Sequence, residues 1–242
     1  MRYGLIADIH GNLEALNAVL KALAEEDIDA YLCVGDIVGY GADPGECLRL
    51  VRALKPKMVI AGNHEWGTLG LLAPGYFNKY AERAIAWAKD TLNAEEKEYI
   101  ASFGLTSSDK DITLVHGSLD KPSKFNYILG PDDAEESFRI LKKRICFVGH
   151  SHVPGIFYYD GAAKGMEGVL KVKIESGKKY IVNVGSVGQP RDGDPRAAFA
   201  IYDDSEGTVA IRRVPYDIKT AQGKILAAGL PERLALRLAE GQ

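Results

Sequence analysis

A chain of 242 residues, 46% hydrophobic and 26% charged, has the balance of a soluble globular protein and is long enough to bury a substantial core in one large domain or two small ones. Its formal net charge of −3, with acids and bases mixed along the sequence, argues against a broad basic surface for gripping nucleic acid. Three cysteines without motif spacing, no run of about eighteen apolar residues, and a strand-like run that begins at Tyr3 argue in turn against a disulfide framework, a membrane span and a signal peptide, so the cytoplasm is the expected location.

The predicted elements change character along the chain. Strands are expected at Tyr3–Ala7, Ala30–Val34, Lys57–Ala61, Ile112–Val115 and Ile145–Val148, each apolar and each ending at a polar or glycine-containing turn. Between the first two, Leu13, Leu16, Leu20 and Leu23 at helical spacing predict a helix over Leu13–Glu25, with Asn12 as its N-cap. Asp43 and Pro44 open a helix at Gly45–Leu54. Further helices are expected at Tyr76–Leu92, Ala94–Phe103 and Asp132–Lys143. This strand–helix–strand rhythm predicts parallel βαβ units. After His152 the pattern becomes mostly antiparallel, with strands at Gly155–Tyr159, Val169–Glu175, Lys179–Val184, Ala198–Tyr202 and Val209–Val214. The stretch Asp217–Ala239 closes as helix with a break at Gly229-Leu230-Pro231. With no internal repeat and no linker, the simplest architecture is a single α/β domain over 1–242, two packed sheets with helices outside, its core in 3–214 and its last helices in 217–239.

The five histidines, His10, His64, His116, His150 and His152, all fall at or just past the carboxyl end of a predicted strand, as do Asp8, Asp36 and Asn63. Ligands bind open α/β sheets beyond those ends. Asp8 and His10 are two apart, as are His150 and His152; in extended backbone each pair faces one side and can reach one ion. Carboxylate, imidazole and amide oxygen together suit borderline divalent metals such as Mn, Fe, Zn or Ni better than Ca or Mg. Seven such donors exceed one tetrahedral zinc and suit two ions that share a carboxylate.

In this order the motifs Asp8-Ile9-His10-Gly11-Asn12, Gly35-Asp36, Gly62-Asn63-His64-Glu65, Val115-His116-Gly117 and Gly149-His150-Ser151-His152 resemble those of the calcineurin-like metallophosphoesterase superfamily, with no departure at a ligand position. The segments Gly35–Gly41 and Asn183–Asp192 resemble its bacterial and archaeal phosphodiesterase-like members. The resemblance implies a four-layer β-sandwich flanked by helices. It assigns Asp8, His10 and His152 to one metal, Asn63, His116 and His150 to a second, and Asp36 to both; His64 would ligate neither and would face the scissile phosphate as the catalytic residue. The cofactor expected is a pair of divalent ions, manganese first, with iron, zinc or nickel as alternatives.

Two divalent ions and two aspartates leave a centre of roughly +2, which attracts phosphoryl oxygens; a hydroxide held between ions about 3.5–4 Å apart can then attack phosphorus near neutral pH. His64 would protonate or stabilise the leaving oxygen. Arg191, beside the glycines at 185 and 188, could hold a phosphate through two N–H groups, although a structural salt bridge explains it equally well. The partner expected is therefore a small-molecule phosphoester or nucleotide substrate, with no membrane. A non-catalytic protein-binding scaffold on the same fold is the alternative. A serine nucleophile at Ser118 or Ser186 is a third reading, but no Gly-x-Ser-x-Gly elbow with a spare base accompanies either. Tyr76, Tyr80, Ile85 and Trp87 read as helix packing.

Overall fold

The computed structural model describes residues 1–73, 75–166 and 168–242. Its first strands return through helices: β1 (Arg2–Ile6), α1 (Leu13–Ala24), β2 (Ala30–Cys33), α2 (Pro44–Ala53) and β3 (Met58–Val59). β1 pairs in parallel with β2, and β2 with β3, as crossover helices require. Asn12 caps α1 by accepting from the Ala15 N–H at 3.1 Å, a contact worth about 1 kcal/mol. Pro44 occupies the first turn of α2, where its missing N–H costs nothing, while the Asp43 carboxylate takes Lys224 at 2.8 Å instead of a helix amide.

After α3 (Asn63–Thr68), α4 (Lys79–Thr91) and α5 (Ala94–Ala101) come β4 (Thr106–Asp109), β5 (Ile112–Val115), α6 (Pro131–Ile140) and β6 (Ile145–Val148). Then follow β7 (Gly155–Tyr159), β8 (Ala163–Gly165), β9 (Lys171–Lys173), β10 (Lys179–Asn183), β11 (Ala197–Asp203), β12 (Thr208–Val214), α7 (Ile218–Ala227) and α8 (Glu232–Glu240). No helix among the described residues is long and apolar enough to cross a membrane.

Two mixed six-stranded sheets result, ordered β3-β2-β1-β11-β12-β9 and β4-β5-β6-β10-β7-β8. Alternation along each strand sorts side chains between layers. Tyr3, Leu5, Leu32, Leu114, Phe147, Val182 and Tyr202 fill the space between the sheets. Ile6, Cys33 and Phe199 face outward onto Leu16, Val19, Leu48 and Val51 of α1 and α2. Cys146, Val148 and Ile181 do the same against Ala134 and Phe138 of α6. The α/β/β/α sandwich expected from the sequence is the fold observed.

Three details differ from expectation. β4 and β8 were not anticipated, because Thr-Ser-Ser-Asp and Ala-Lys-Gly lack apolar alternation; both are edge strands, where polar residues are tolerated. α3 is too short for a helical period to show. The strand expected at Val169–Glu175 contracts to Lys171–Lys173. The second half is mostly antiparallel, as expected, with β10 running parallel to β6.

Candidate metal centre

The loops beyond β1, β2, β5 and β6, together with the start of α3, meet at one buried place. Asp8, His10, Asp36, His116, His150 and His152 have at most 5% of their surface exposed. The chain does not reach it in extended form. Asp8, His10, Asp36, His150 and His152 have φ of 51°, 50°, 52°, 68° and 61°, in the left-handed region. The extended-backbone argument for the two i, i+2 pairs is therefore corrected: tight left-handed turns, not strand pleating, bring Asp8 and His10 into one donor group and send His150 and His152 to different ones. Such conformations cost non-glycine residues on the order of 1–3 kcal/mol each and persist only where neighbours fix them. Here the amides of Asp8, His10 and Gly11 bond the carbonyls of Gly35, Asp36 and Ile37 at 2.9–3.0 Å, locking two ligand loops together. Gly149 is required because a Cβ there would run into the Asp8 carboxylate.

Ring orientation decides what the histidines can do. The Nδ1 atoms of His10, His116 and His152 lie 3.1, 2.7 and 2.6 Å from the carbonyls of Val38, Val34 and Gln189. A carbonyl only accepts, so each Nδ1 carries a proton, and in the neutral rings of His10 and His152 the Nε2 presents a lone pair. Yet the Nε2 atoms of His10 and His152 face each other at 3.0 Å. Two lone pairs at that distance need a cation between them. Further Nε2-to-carboxylate distances are 3.6 Å from His10 to Asp36, 3.5 Å from His152 to Asp8 and 3.1 Å from His116 to Asp36. Donors around one ion with bonds of about 2.1 Å would lie roughly 3.0–3.4 Å apart.

Two donor groups emerge: Asp8, His10, Asp36 and His152 in one, and Asp36, His116 and His150 in the other, with Asp36 common to both. Asn63 opens α3; its Oδ1 is buried without a hydrogen-bond partner among the described residues, the kind of orphaned acceptor that a cation satisfies. The donor set fits two divalent ions.

Electrostatics agree. Burial, with Asp36 nearby, raises the pKa of Asp8 to about 8. Burial also opposes charge on Asp36, but His116, His64 and His10 outweigh it and hold that carboxyl well below its usual range. Burial pulls His150 down to about 3, and His10 and His152 well below the ordinary imidazole value. His116 is the exception: burial opposes its charge, yet Asp36 and Asp8 lift it to about 10, so that a proton bridges His116 and Asp36. An ion taken up here would displace that proton.

His64 follows Asn63, its amide donating to Asp36 Oδ1 at 2.9 Å and its ring 4.6 Å from that of His10. Burial lowers its pKa to about 4, so the ring is neutral. Arg191 also reaches the site: its guanidinium lies 5.6 Å from the Tyr40 ring centre, and one of its N–H groups bonds Gln189 at 3.0 Å. No carboxylate among the described residues pairs with it, which removes the salt-bridge explanation. Ser118 and Ser186 are buried and engaged with Ser137 and the Asp8 carbonyl, at 2.9 and 2.8 Å, with no base at hand for a nucleophile.

Several contributors were given no role by the sequence, although some lie inside its motifs. Glu65 accepts from the amides of Asp36, Ile37, Val38 and Gly62 at 2.7–3.3 Å, fixing the turn that bears Asp36. Asn183 bonds the Gly149 carbonyl and Ser151 at 2.8 and 2.9 Å, and the Gly188 amide bonds the Asp8 carbonyl at 2.9 Å. Tyr40, Phe77 and Tyr127 line the rim, their rings 4.6 Å from His10, 5.2 Å from His64 and 4.1 Å from His150. Tyr76 precedes α4 and does not pack within it, correcting its reading as a helix residue.

Comparison with known proteins places this geometry. The profile of the calcineurin-like phosphoesterase family matches residues 1–172. The uncharacterized protein MJ0912 of Methanocaldococcus jannaschii is 41% identical over 98% of this chain and 97% of its own. A crystal structure of a metallophosphoesterase from Sphaerobacter thermophilus superposes with a TM-score of 0.87 at 40% identity, covering 100% of this chain and 99% of that one. The hypothetical protein PH1004 of Pyrococcus horikoshii OT3 shares the fold, with a TM-score of 0.82 at 23% identity over 100% and 98% of the two chains.

Proposed function

The chain belongs to the calcineurin-like phosphoesterase family, and from that premise we propose that it hydrolyses phosphodiester or phosphomonoester bonds of a small or nucleotide-type substrate with two divalent ions. The observation that carries this reading is the Asp36 carboxylate shared by two buried donor groups, one of which turns two imidazole lone pairs toward each other at 3.0 Å. Asp8, His10 and His152 would hold one ion, Asn63, His116 and His150 the other, and Asp36 both. Manganese is the first choice, with iron, zinc or nickel as alternatives, because imidazole and carboxylate mix in both groups. When bound, the ions stabilise charge on the phosphoryl oxygens and activate the attacking water.

The chain's own residues complete the reaction. His64, neutral because burial pulls it down to about 4, donates an N–H hydrogen bond to the departing oxygen. Arg191, free of any carboxylate among the described residues, takes a non-bridging phosphate oxygen. Residues 1–242 act as one domain, with Lys224 of α7 tied to Glu14 and Asp43 and the Gly241 carbonyl accepting from the Gly193 amide at 3.0 Å. The buried, unpaired Cys33, Cys47 and Cys146 suit the cytoplasm.

The test is metal content together with turnover on paired diester and monoester substrates loaded with Mn, Zn, Ni or Mg. We expect two ions per chain and hydrolysis of aryl phosphate esters. His64→Ala should keep its metal and lose about 10²-fold in rate, the scale of one positioned acid–base group. Two bound ions without turnover on any phosphoester would leave a binding scaffold instead.

A further inference from the structure

His64 differs from its neighbours in what its Nδ1 meets. In His10, His116 and His152 that atom faces a carbonyl oxygen; in His64 it is buried with no hydrogen-bond partner among the described residues. What it faces is the α-carbon of Gly39, where a Cβ would sit only 2.0 Å from it. An N–H shut away from water and from every acceptor is costly, whereas a bare lone pair there can take a weak contact from a C–H group. In its neutral form His64 therefore carries its proton on Nε2, the opposite tautomer to His10 and His152.

The turn Gly39-Tyr40-Gly41 keeps the ring in that place. The rings of Tyr40, His10 and His64 form a triangle, with centroids 4.6 Å apart from Tyr40 to His10, 4.5 Å from Tyr40 to His64 and 4.6 Å from His10 to His64. Phe77 meets His64 edge-on at 5.2 Å, and the Gly41 amide ties the turn to the His10 carbonyl at 2.8 Å. Tyr40 has a φ of 52°, in the left-handed region that a bulky side chain rarely adopts and that persists only where its surroundings fix it. They do so here: Tyr40 belongs to one apolar cluster with Ala84 of α4, Ile225 of α7 and Leu234 and Leu238 of α8.

We infer that the Gly39-Tyr40-Gly41 turn fixes both the tautomer and the orientation of His64, Gly39 by leaving Nδ1 without an acceptor and Tyr40 by packing the ring against His10. Tyr40 is then a positioning residue, acting through His64 and not on the substrate. The inference rests on the phosphoesterase reading above and names the nitrogen that serves it: the Nε2–H of His64 donates to the departing oxygen.

The test reads the proton and the rate separately. Ring-nitrogen NMR spectra of the metal-free and zinc-loaded protein at about pH 8, above the ordinary imidazole range, locate the His64 proton, with His64→Gln assigning its signals. We expect the Nε2–H tautomer in the wild type and in Tyr40→Phe, and a mixture of tautomers in Tyr40→Leu, with metal content unchanged. Rates are then compared on phenyl and para-nitrophenyl phosphate esters. On the phenyl esters, whose leaving oxygen needs the hydrogen bond, Tyr40→Leu should lose about tenfold in kcat with little change in KM, and Tyr40→Phe should restore it. On the para-nitrophenyl esters, whose leaving group departs without a proton, the loss should shrink to about twofold. Added to His64→Ala, Tyr40→Leu should cost nothing further. A wild-type proton on Nδ1, or a Tyr40→Leu loss that is equal on both esters or adds in full to that of His64→Ala, overturns the inference, while wild-type turnover leaves the phosphoesterase reading standing. Loss of zinc from Tyr40→Leu places its effect on His10 and overturns the inference as well. If the wild type holds both ions and cleaves none of these esters, the phosphoesterase reading falls, and the inference with it.

Discussion

The loops of the first 152 residues and the segment from Asn183 to Arg191 contribute to the centre in opposite ways. The former supply all seven proposed donor side chains; the latter supplies none and holds them. Ser186 and the Gly188 amide both bond the Asp8 carbonyl, at 2.8 and 2.9 Å, the Gln189 carbonyl accepts from His152 at 2.6 Å, and Asn183 pins Gly149 and Ser151. Donor identity lies in one region and donor orientation in the other. A metal site needs both, because an imidazole whose second nitrogen is free to choose a partner loses its tautomer.

Removing a donor should therefore do more harm than removing a support. Asp36→Ala should abolish binding of both ions, whereas Asp8→Ala should weaken mainly one; metal analysis after gel filtration distinguishes them, and equal stoichiometry in the two variants would contradict a shared carboxylate. Ser186→Ala, which removes one of the two hydrogen bonds to the Asp8 carbonyl without touching a donor, should keep the stoichiometry and lose about 10- to 100-fold in metal affinity, the usual effect of an outer partner. Unchanged affinity would mean that the remote segment is packing alone.

Acid and base separate the same contributions more gently. In the metal-free protein, His10, His64, His150 and His152 have pKa values below the unfolded value of 6.5, so the unfolded chain binds more protons and stability falls as pH drops below that value. Asp8 and Glu65, raised to about 8 and about 7, oppose this trend but are outnumbered. Above pH 6.5 the fold keeps protons on Asp8 to about 8 and on His116 to about 10 that the unfolded chain has released, so stability falls again. Thermal unfolding of the metal-free protein should peak near pH 6.5, and metal loading should move the peak upward as those protons leave. A metal-free curve still rising at pH 9 would contradict the buried carboxyl and imidazole arrangement.

How much of this was legible in the sequence follows the same division. Asp8, His10, Asp36, Asn63, His116, His150 and His152 are rare residue types gathered at strand ends, so their convergence could be read from spacing and alternation. Their left-handed backbone could not, because the aspartate and histidine in Asp8-Ile9-His10 fit an extended chain equally well on paper. Glu65 sits beside two obvious site residues, yet its hold on four amides depends on where the Asp36 turn lies in space. Tyr127 belongs to no periodic element, and its stacking on the His150 ring could not be read from spacing. β4 was hidden because an edge strand need not be apolar.

The place of β1 has a consequence for how the protein comes to exist. Tyr3 pairs with Tyr202 on one side and with Ala30 on the other, so the strand made first lies mid-sheet. Closing a loop of nearly the whole chain is slow, and folds dominated by such distant contacts fold late. On the ribosome, β1, α1 and β2 can form early, but the turn bearing Asp8 and His10 must wait for β11 and the segment before it to emerge. The earliest site residues to be synthesised are thus among the last to be locked in place, and nascent chains shorter than about 200 residues should expose one unpaired edge of β1 to chaperones.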